Sequence, residues 1–236
     1  MAHEIDYELI GDDMQLVEVT LDPQETVRAE AGTMMYMDQG IQMETGTGGG
    51  LMKGLKRMFT GESFFITSFT NIGTGRQKVG FASPYPGKIV PIDLLKMGGE
   101  FLCQKDAFLC AAYGVEIEVA FTKRLGAGLF GGEGFILQRL TGDGLAFIHA
   151  GGTIIERDLQ PRETLRVDTG CVVAFSRTVN YDIQFVGGFK NALFGGEGLF
   201  LVNLQGPGKV YLQSLPFSKL VDRIHHALPP ARRGND

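Results

Sequence analysis

Apolar positions along this chain fall mostly in runs or alternations of roughly four to eight residues, cut by clusters of Gly, Pro, Asp or Asn. Met14 to Leu21, Phe64 to Phe69, Glu116 to Phe121, Gly134 to Leu140, Leu165 to Phe175 and Leu199 to Leu204 each read as β-strands. Strand side chains point alternately to two faces, so one buried face needs an apolar residue at every second position. Gly73-Thr74-Gly75, Gly142-Asp143-Gly144 and Gly206-Pro207-Gly208 read as tight hairpin turns, where glycine accepts positive φ. Only the end of the chain changes period. Phe217, Leu220, Val221, Ile224 and Leu228 share one face at helical spacing and predict a helix over 216–228, stopped by Pro229-Pro230. A shorter helix or coil is expected over Leu51 to Phe59. Many short, evenly spaced strands predict an all-β sandwich or barrel.

A phrase recurs three times. It runs Phe59-Thr60-Gly61-Glu62-Ser63-Phe64, then Phe130-Gly131-Gly132-Glu133-Gly134-Phe135, then Phe194-Gly195-Gly196-Glu197-Gly198-Leu199. The leading phenylalanines lie 71 and then 64 residues apart. Upstream, Leu21-Asp22-Pro23-Gln24-Glu25-Thr26-Val27-Arg28 matches Leu159-Gln160-Pro161-Arg162-Glu163-Thr164-Leu165-Arg166. The middle copy is degenerate: Glu100, Leu102 and Ala107 align with Glu25, Val27 and Gly32, and Gly98 with Pro23 and Pro161. The repeat predicts three β-modules over 12–83, 84–150 and 151–215, followed by the helix over 216–228. Units of about 65 residues bury too little surface to stand alone, so one body is expected.

Glycine, at 34 of 236 residues, is about twice its usual share of ~7%, in keeping with many turns. The net charge of −5 disfavours a broad nucleic-acid face. The first residues carry no basic or amphipathic leader, and no apolar run reaches the ~18 residues of a membrane span. Cys103, Cys110 and Cys171 are odd in number and form no CxxC pair, which reads as reduced core thiols in a cytoplasmic protein.

Candidate chemistry is sparse. Glu62, Glu133 and Glu197 stand at one repeat position; converging on an axis, they could hold a hard cation such as Ca²⁺ or Mg²⁺. The plainer reading has each one accepting backbone N–H bonds in a glycine-rich turn or facing water. Glu25, Glu100 and Glu163 form a second set, read as solvent-facing turn residues. The glycines of 46–54 are followed by no Gly-Lys-Ser/Thr, so a phosphate loop is rejected. In the same stretch Lys53, Lys56 and Arg57 interleave with Leu55, Met58 and Phe59. That pattern suits a membrane-surface or partner-binding segment, or a loop packed on its neighbour. His149 could serve as a general base near Asp143 or Asp158, with no spacing in favour of that over an ordinary strand histidine. No HxH or HExxH pattern, nucleophile elbow or Cys–His pair occurs.

The segment from Gly48 to Phe65, together with Ala31-Gly32-Thr33-Met34 and the two later Phe-Gly-Gly-Glu-Gly phrases, resembles the family named after altered inheritance of mitochondria. The resemblance spans about residues 4 to 224. It implies a fold similar to the tryptophan RNA-binding attenuator protein: a shortened double-stranded β-helix, present three times with pseudo-threefold symmetry. It implies no enzyme activity. The family's mitochondrial members are linked to inner-membrane organisation. Together these readings lead to a non-enzymatic scaffold or binding protein, without cofactor or metal. It is expected to associate with itself as a homo-oligomer, with an unidentified protein or with a membrane surface. An RNA- or small-ligand-binding protein is the alternative by fold analogy, and a small-molecule enzyme with a pocket between modules comes third.

Overall fold

The computed structural model describes residues 1–46, 66–123, 134–186 and 200–228. Its strands are β1 (Asp6–Ile10), β2 (Leu16–Leu21), β3 (Thr26–Glu30), β4 (Met34–Met37), β5 (Ile41–Gly46), β6 (Ile66–Asn71) and β7 (Gln77–Ala82). Next come β8 (Gly87–Asp93), β9 (Glu100–Gln104), β10 (Phe108–Ala112), β11 (Glu116–Lys123), β12 (Phe135–Thr141) and β13 (Leu145–Gly151). The last are β14 (Ile154–Leu159), β15 (Thr164–Asp168), β16 (Val172–Ser176), β17 (Asn180–Phe185), β18 (Phe200–Gln205) and β19 (Gly208–Gln213). One helix, α1 (Phe217–Ala227), follows. The described residues are all-β apart from α1 and short 3₁₀ turns, as expected.

Four antiparallel sheets form, in the orders β1-β2-β7-β4, β5-β6-β3-β10-β13-β8, β11-β12-β9-β16-β19-β14 and β15-β18-β17. One pairing order recurs in β5-β6-β3, β11-β12-β9 and β17-β18-β15. Another recurs where β4, β10 and β16 lie beside β7, β13 and β19, each pair broken by a single register shift. The glycine turns do not close hairpins. Both edges of β6 are taken by β5 and β3, and both edges of β7 by β2 and β4, so these chain neighbours cannot pair. The same holds for β12 and β13 and for β18 and β19. Each turn instead carries the chain from one sheet into another. Among the described residues, consecutive strands pair in β1–β2, β5–β6, β11–β12 and β17–β18, and the repeated glycine phrases fall in sequence between the partners of the last three.

Two further expectations are corrected. The run Leu165 to Phe175 is not one strand. Asp168 accepts the Gly170 N–H at 2.8 Å and turns the chain through a 3₁₀ segment, Thr169–Cys171, between β15 and β16. Glu100 does not occupy the place of Glu25 and Glu163. It faces Thr141 across β9 and β12, as Thr26 faces Thr70 and Thr164 faces Gln205. The middle copy is therefore one residue out of the alignment drawn from sequence, and Gly98, not Gly99, holds the place of Gln24 and Arg162. All three have positive φ, at 79°, 72° and 69°.

Burial follows the pairing. β2 alternates between buried and partly exposed residues, with Val17, Val19 and Leu21 inside, as a strand covered on one face should. β10, Phe-Leu-Cys-Ala-Ala, is buried throughout because both its faces are covered: Phe108 and Ala111 enter one apolar cluster, and Leu109, Cys110 and Ala112 another. Three apolar clusters form the core. The first gathers Leu21, Phe69, Phe81 and Phe147; the second Phe101, Phe108, Ile148 and Tyr211; the third Phe135, Phe175, Leu204 and Val210. Residues from the middle of the sequence enter all three.

Candidate functional site

The sequence candidates Lys53, Leu55, Lys56, Arg57, Met58 and Phe59, with Glu62, Glu133 and Glu197, lie outside the described residues. The short element expected over Leu51 to Phe59 lies there too. The second glutamate set is described. Glu25 accepts the backbone N–H of Asp22 at 2.8 Å and Glu163 that of Gln160 at 2.8 Å, each closing a Pro-containing turn. Glu100 instead meets the Arg139 guanidinium at 3.1 Å.

His149 is 2% exposed in β13, with its Nδ1 3.0 Å from Ser83 Oγ. Neither acid named for it is its partner: Asp143 accepts the Ala2 N–H, and Asp158 pairs with Lys209. Burial lowers the His149 imidazole from its ordinary range to about 4, so the ring is neutral near pH 7. Cys103 and Cys110 are buried thiols, and burial pushes both upward, away from the thiolate.

What the strands build together is a cavity of about 780 Å³. The end of β3 brings Glu30, the end of β9 brings Gln104, and the turn after β15 brings Gly170. β13 adds His149 from behind. The segment Pro84-Tyr85-Pro86, between β7 and β8, contributes Tyr85, and α1 covers one side with Phe217, Val221 and Asp222. Tyr85 meets His149 edge-on at 5.0 Å and stacks on Phe217 at 5.3 Å and 26°. α1 is tied down at its first turn by Lys219, whose Nζ lies 3.3 Å from Asp168.

The electrostatics of this cavity are one-sided. Burial raises the Glu30 carboxyl to about 7, and the negative charge of Asp106 adds to the rise; Lys105 opposes it. Burial, helped by Asp106 and Glu30, also holds the Tyr85 phenol in its neutral form. Among the described residues, no Lys or Arg lines the cavity. No group of three or more His, Cys, Asp or Glu among them is arranged to hold a metal ion. Nothing in the residue pattern marks Glu30, Tyr85 or Asp106 as site residues, since they lie on three separate segments and only pairing brings them together.

The predicted helix is present, and its apolar face is divided: Phe217 and Val221 line the cavity, Leu220 is half-buried, and Ile224 and Leu228 face outward. Phe217, Val221, Ile224 and Leu228 are 49, 43, 53 and 61% exposed. No helix among the described residues is long and apolar enough to cross a membrane.

An all-β body with interlocked sheets and a cavity at the meeting of its strand ends is the class these features define. Within that class, the chain belongs to the family described as Mitochondrial biogenesis AIM24, whose model matches residues 7–215. The match stops just short of α1. The chain is 31% identical over 222 residues to an uncharacterized protein of Streptococcus pyogenes serotype M6, covering 91% of this chain and 87% of that one. It is also similar to the crystal structure of a Streptococcus pyogenes protein, with TM-score 0.78 and 26% identity over 95% of this chain and 100% of the other.

Proposed function

We propose that this chain is a non-enzymatic binding protein that acts by association, with a partner protein, a membrane surface or another copy of itself. The observation that carries this reading is the exposed apolar end of α1, where Ile224 and Leu228 are 53 and 61% exposed and lie outside the cavity. Being about half exposed, each has roughly half of the 1.5–3 kcal/mol of full burial still to gain, so the pair favours a cover. The polar side of the same helix carries Arg223 beside Asp222, and Arg232 and Arg233 follow in sequence, basic groups that suit an acidic surface. The three-module body belongs to this reading, supported by the recurring strand orders.

The test is a double variant, Ile224→Asp with Leu228→Asp. Neither residue lines the cavity, and both are exposed, so thermal stability should stay within about 0.5 kcal/mol of wild type. Self-association by light scattering, sedimentation with anionic vesicles and partner pull-down are measured in parallel. Loss of whichever association the wild type displays is expected. Full retention of it would remove α1 from the proposal, leaving Leu55→Asp with Met58→Asp as the same test of the loop.

A second reading, small-ligand binding, is favoured by one observation, the cavity itself, which has the size and mixed lining of a ligand site.

A further inference from the structure

We propose that the cavity binds an organic monocation, an amine carried on an apolar body, with Glu30 holding the ammonium and Tyr85 and Phe217 flanking the body. The inference goes beyond surface association and does not depend on it. Three observations carry it. First, the charged side chains of the wall are acidic: Glu30, Asp106 and Asp222 line it and no lysine or arginine does so among the described residues, with Lys105 acting on Glu30 from beside the wall. An anion would enter against that field, whereas a cation is drawn in. Second, the apolar side is aromatic and organised. The stacked Tyr85–Phe217 pair leaves ring surface for an apolar group and for the ammonium edge. Third, a bare metal ion does not suit the lining, because no three ligating side chains converge there among the described residues. About 780 Å³ is also far more than an ion needs and falls within the range of small-molecule sites.

The groups facing Glu30 set the pH response. Asp106 and Lys105 act on it by charge from the turn after β9, the neutral Tyr85 lies on the β7–β8 segment, neutral His149 on β13, and Asp222 on α1. Glu30 is half ionised at about pH 7, while an alkylamine stays protonated well above that. Affinity for the cation therefore rises as pH rises through that value.

The experiment is calorimetric titration of the full chain with 2-phenylethylamine. The carboxylate isostere 3-phenylpropionate and the neutral n-propylbenzene serve as comparison probes. The amine should bind saturably, roughly tenfold more tightly at about pH 8 than at about pH 6, and at least tenfold more tightly than the carboxylate. Glu30→Gln, nearly isosteric, should flatten the pH profile and weaken the amine about tenfold while leaving propylbenzene unchanged. Val221→Lys places a cation on the exposed helical wall without touching the core, and should reverse the preference toward the carboxylate. Absence of saturable amine binding overturns the proposal. So does equal binding of amine and carboxylate, or an unaltered pH profile in Glu30→Gln. If Glu30→Gln fails to fold, Val221→Lys decides, and an unchanged preference there overturns the proposal as well.

Discussion

β4 and β10 hold the same place beside β7 and β13, with a register shift at the same point, yet one is open and the other sealed. β10 is flanked on its far side by β3, and every residue of it is buried. β4 ends its sheet, and Met35, Tyr36 and Met37 are 61, 37 and 38% exposed. The cross-strand pairs after the shift show how each strand is fitted to its setting. In the sealed sheets the large residue stands on β13 or β19 and a small one opposite on β10 or β16: Phe147 against Cys110, and Tyr211 against Ala174. At the open edge the sizes are exchanged, with Tyr36 lying over Gly80, where an added Cβ would sit 2.5 Å from the ring. The Tyr36 hydroxyl donates to Glu18, which pushes the phenol up to about 12. β15 is the other edge of this kind, and Thr164, Arg166 and Asp168 blunt it with polar groups.

The widest gap in effect tests that contrast directly. Phe108→Ala in β10 removes a fully buried ring and should cost about 3–5 kcal/mol, read as a lower urea midpoint at constant slope. Met35→Ala in β4 should stay within about 0.5 kcal/mol. A Met35→Ala cost that grows with protein concentration would break the comparison, because it would mean that another copy covers β4 in solution.

The two regions meet at the cavity through Glu30, which ends β3 just before β4, and His149, which lies on β13 beside β10. Their protons act in opposite directions. Glu30 rises from 4.5 to about 7 on folding, so the folded chain keeps a proton that the unfolded chain has lost. Its stabilising contribution is whole below about pH 4.5 and is lost as pH climbs to about 7. His149 falls from 6.5 to about 4, so the unfolded chain takes the proton first; stability is whole above about pH 6.5 and is lost as pH drops towards about 4. Each effect amounts to at most about 3 kcal/mol. Between about pH 4.5 and pH 6.5 the two slopes oppose each other. Glu30→Gln should therefore raise the urea midpoint at about pH 8, by up to ~3 kcal/mol, and expose a steep acid loss below about pH 6. Superimposable stability–pH curves for wild type and variant would mean that the Glu30 carboxylate is solvated.

These regions also mark where sequence was legible. Period-two patterning located β2 and β18, because one covered face leaves an apolar trace at alternate residues, while the apolar run Phe135-Ile136-Leu137 located β12. The helix was legible at 3.6 spacing, although its apolar face proved divided. Pairing left no such trace. The glycine turns look the same whether they close a hairpin or carry the chain into another sheet, and that depends on which edges are already taken. The cavity was hidden for the same reason. Glu30 ends a strand whose pattern, Thr-Val-Arg-Ala-Glu, reads as ordinary alternation, and Tyr85 sits in a Pro-bounded link with no periodicity at all.

The smallest effects sharpen the corrected register of the middle copy. Gln24, Gly98 and Arg162 hold one place and share positive φ, but only one of them is glycine. A left-handed L-residue carries about 1–2 kcal/mol of steric cost, while glycine avoids it but has more unfolded freedom to lose, about 0.4–1 kcal/mol. Gly98→Ala should then destabilise by about 1 kcal/mol, and by backbone strain alone, since no atom lies within 4 Å of the new Cβ. Gln24→Gly and Arg162→Gly should each stabilise by somewhat less than about 1 kcal/mol, the difference of the same two terms. Thermal unfolding of the three variants checks both signs at once. A neutral Gly98→Ala would mean that this turn is free to relax, and that its agreement with the two Pro-containing turns is not built into the chain.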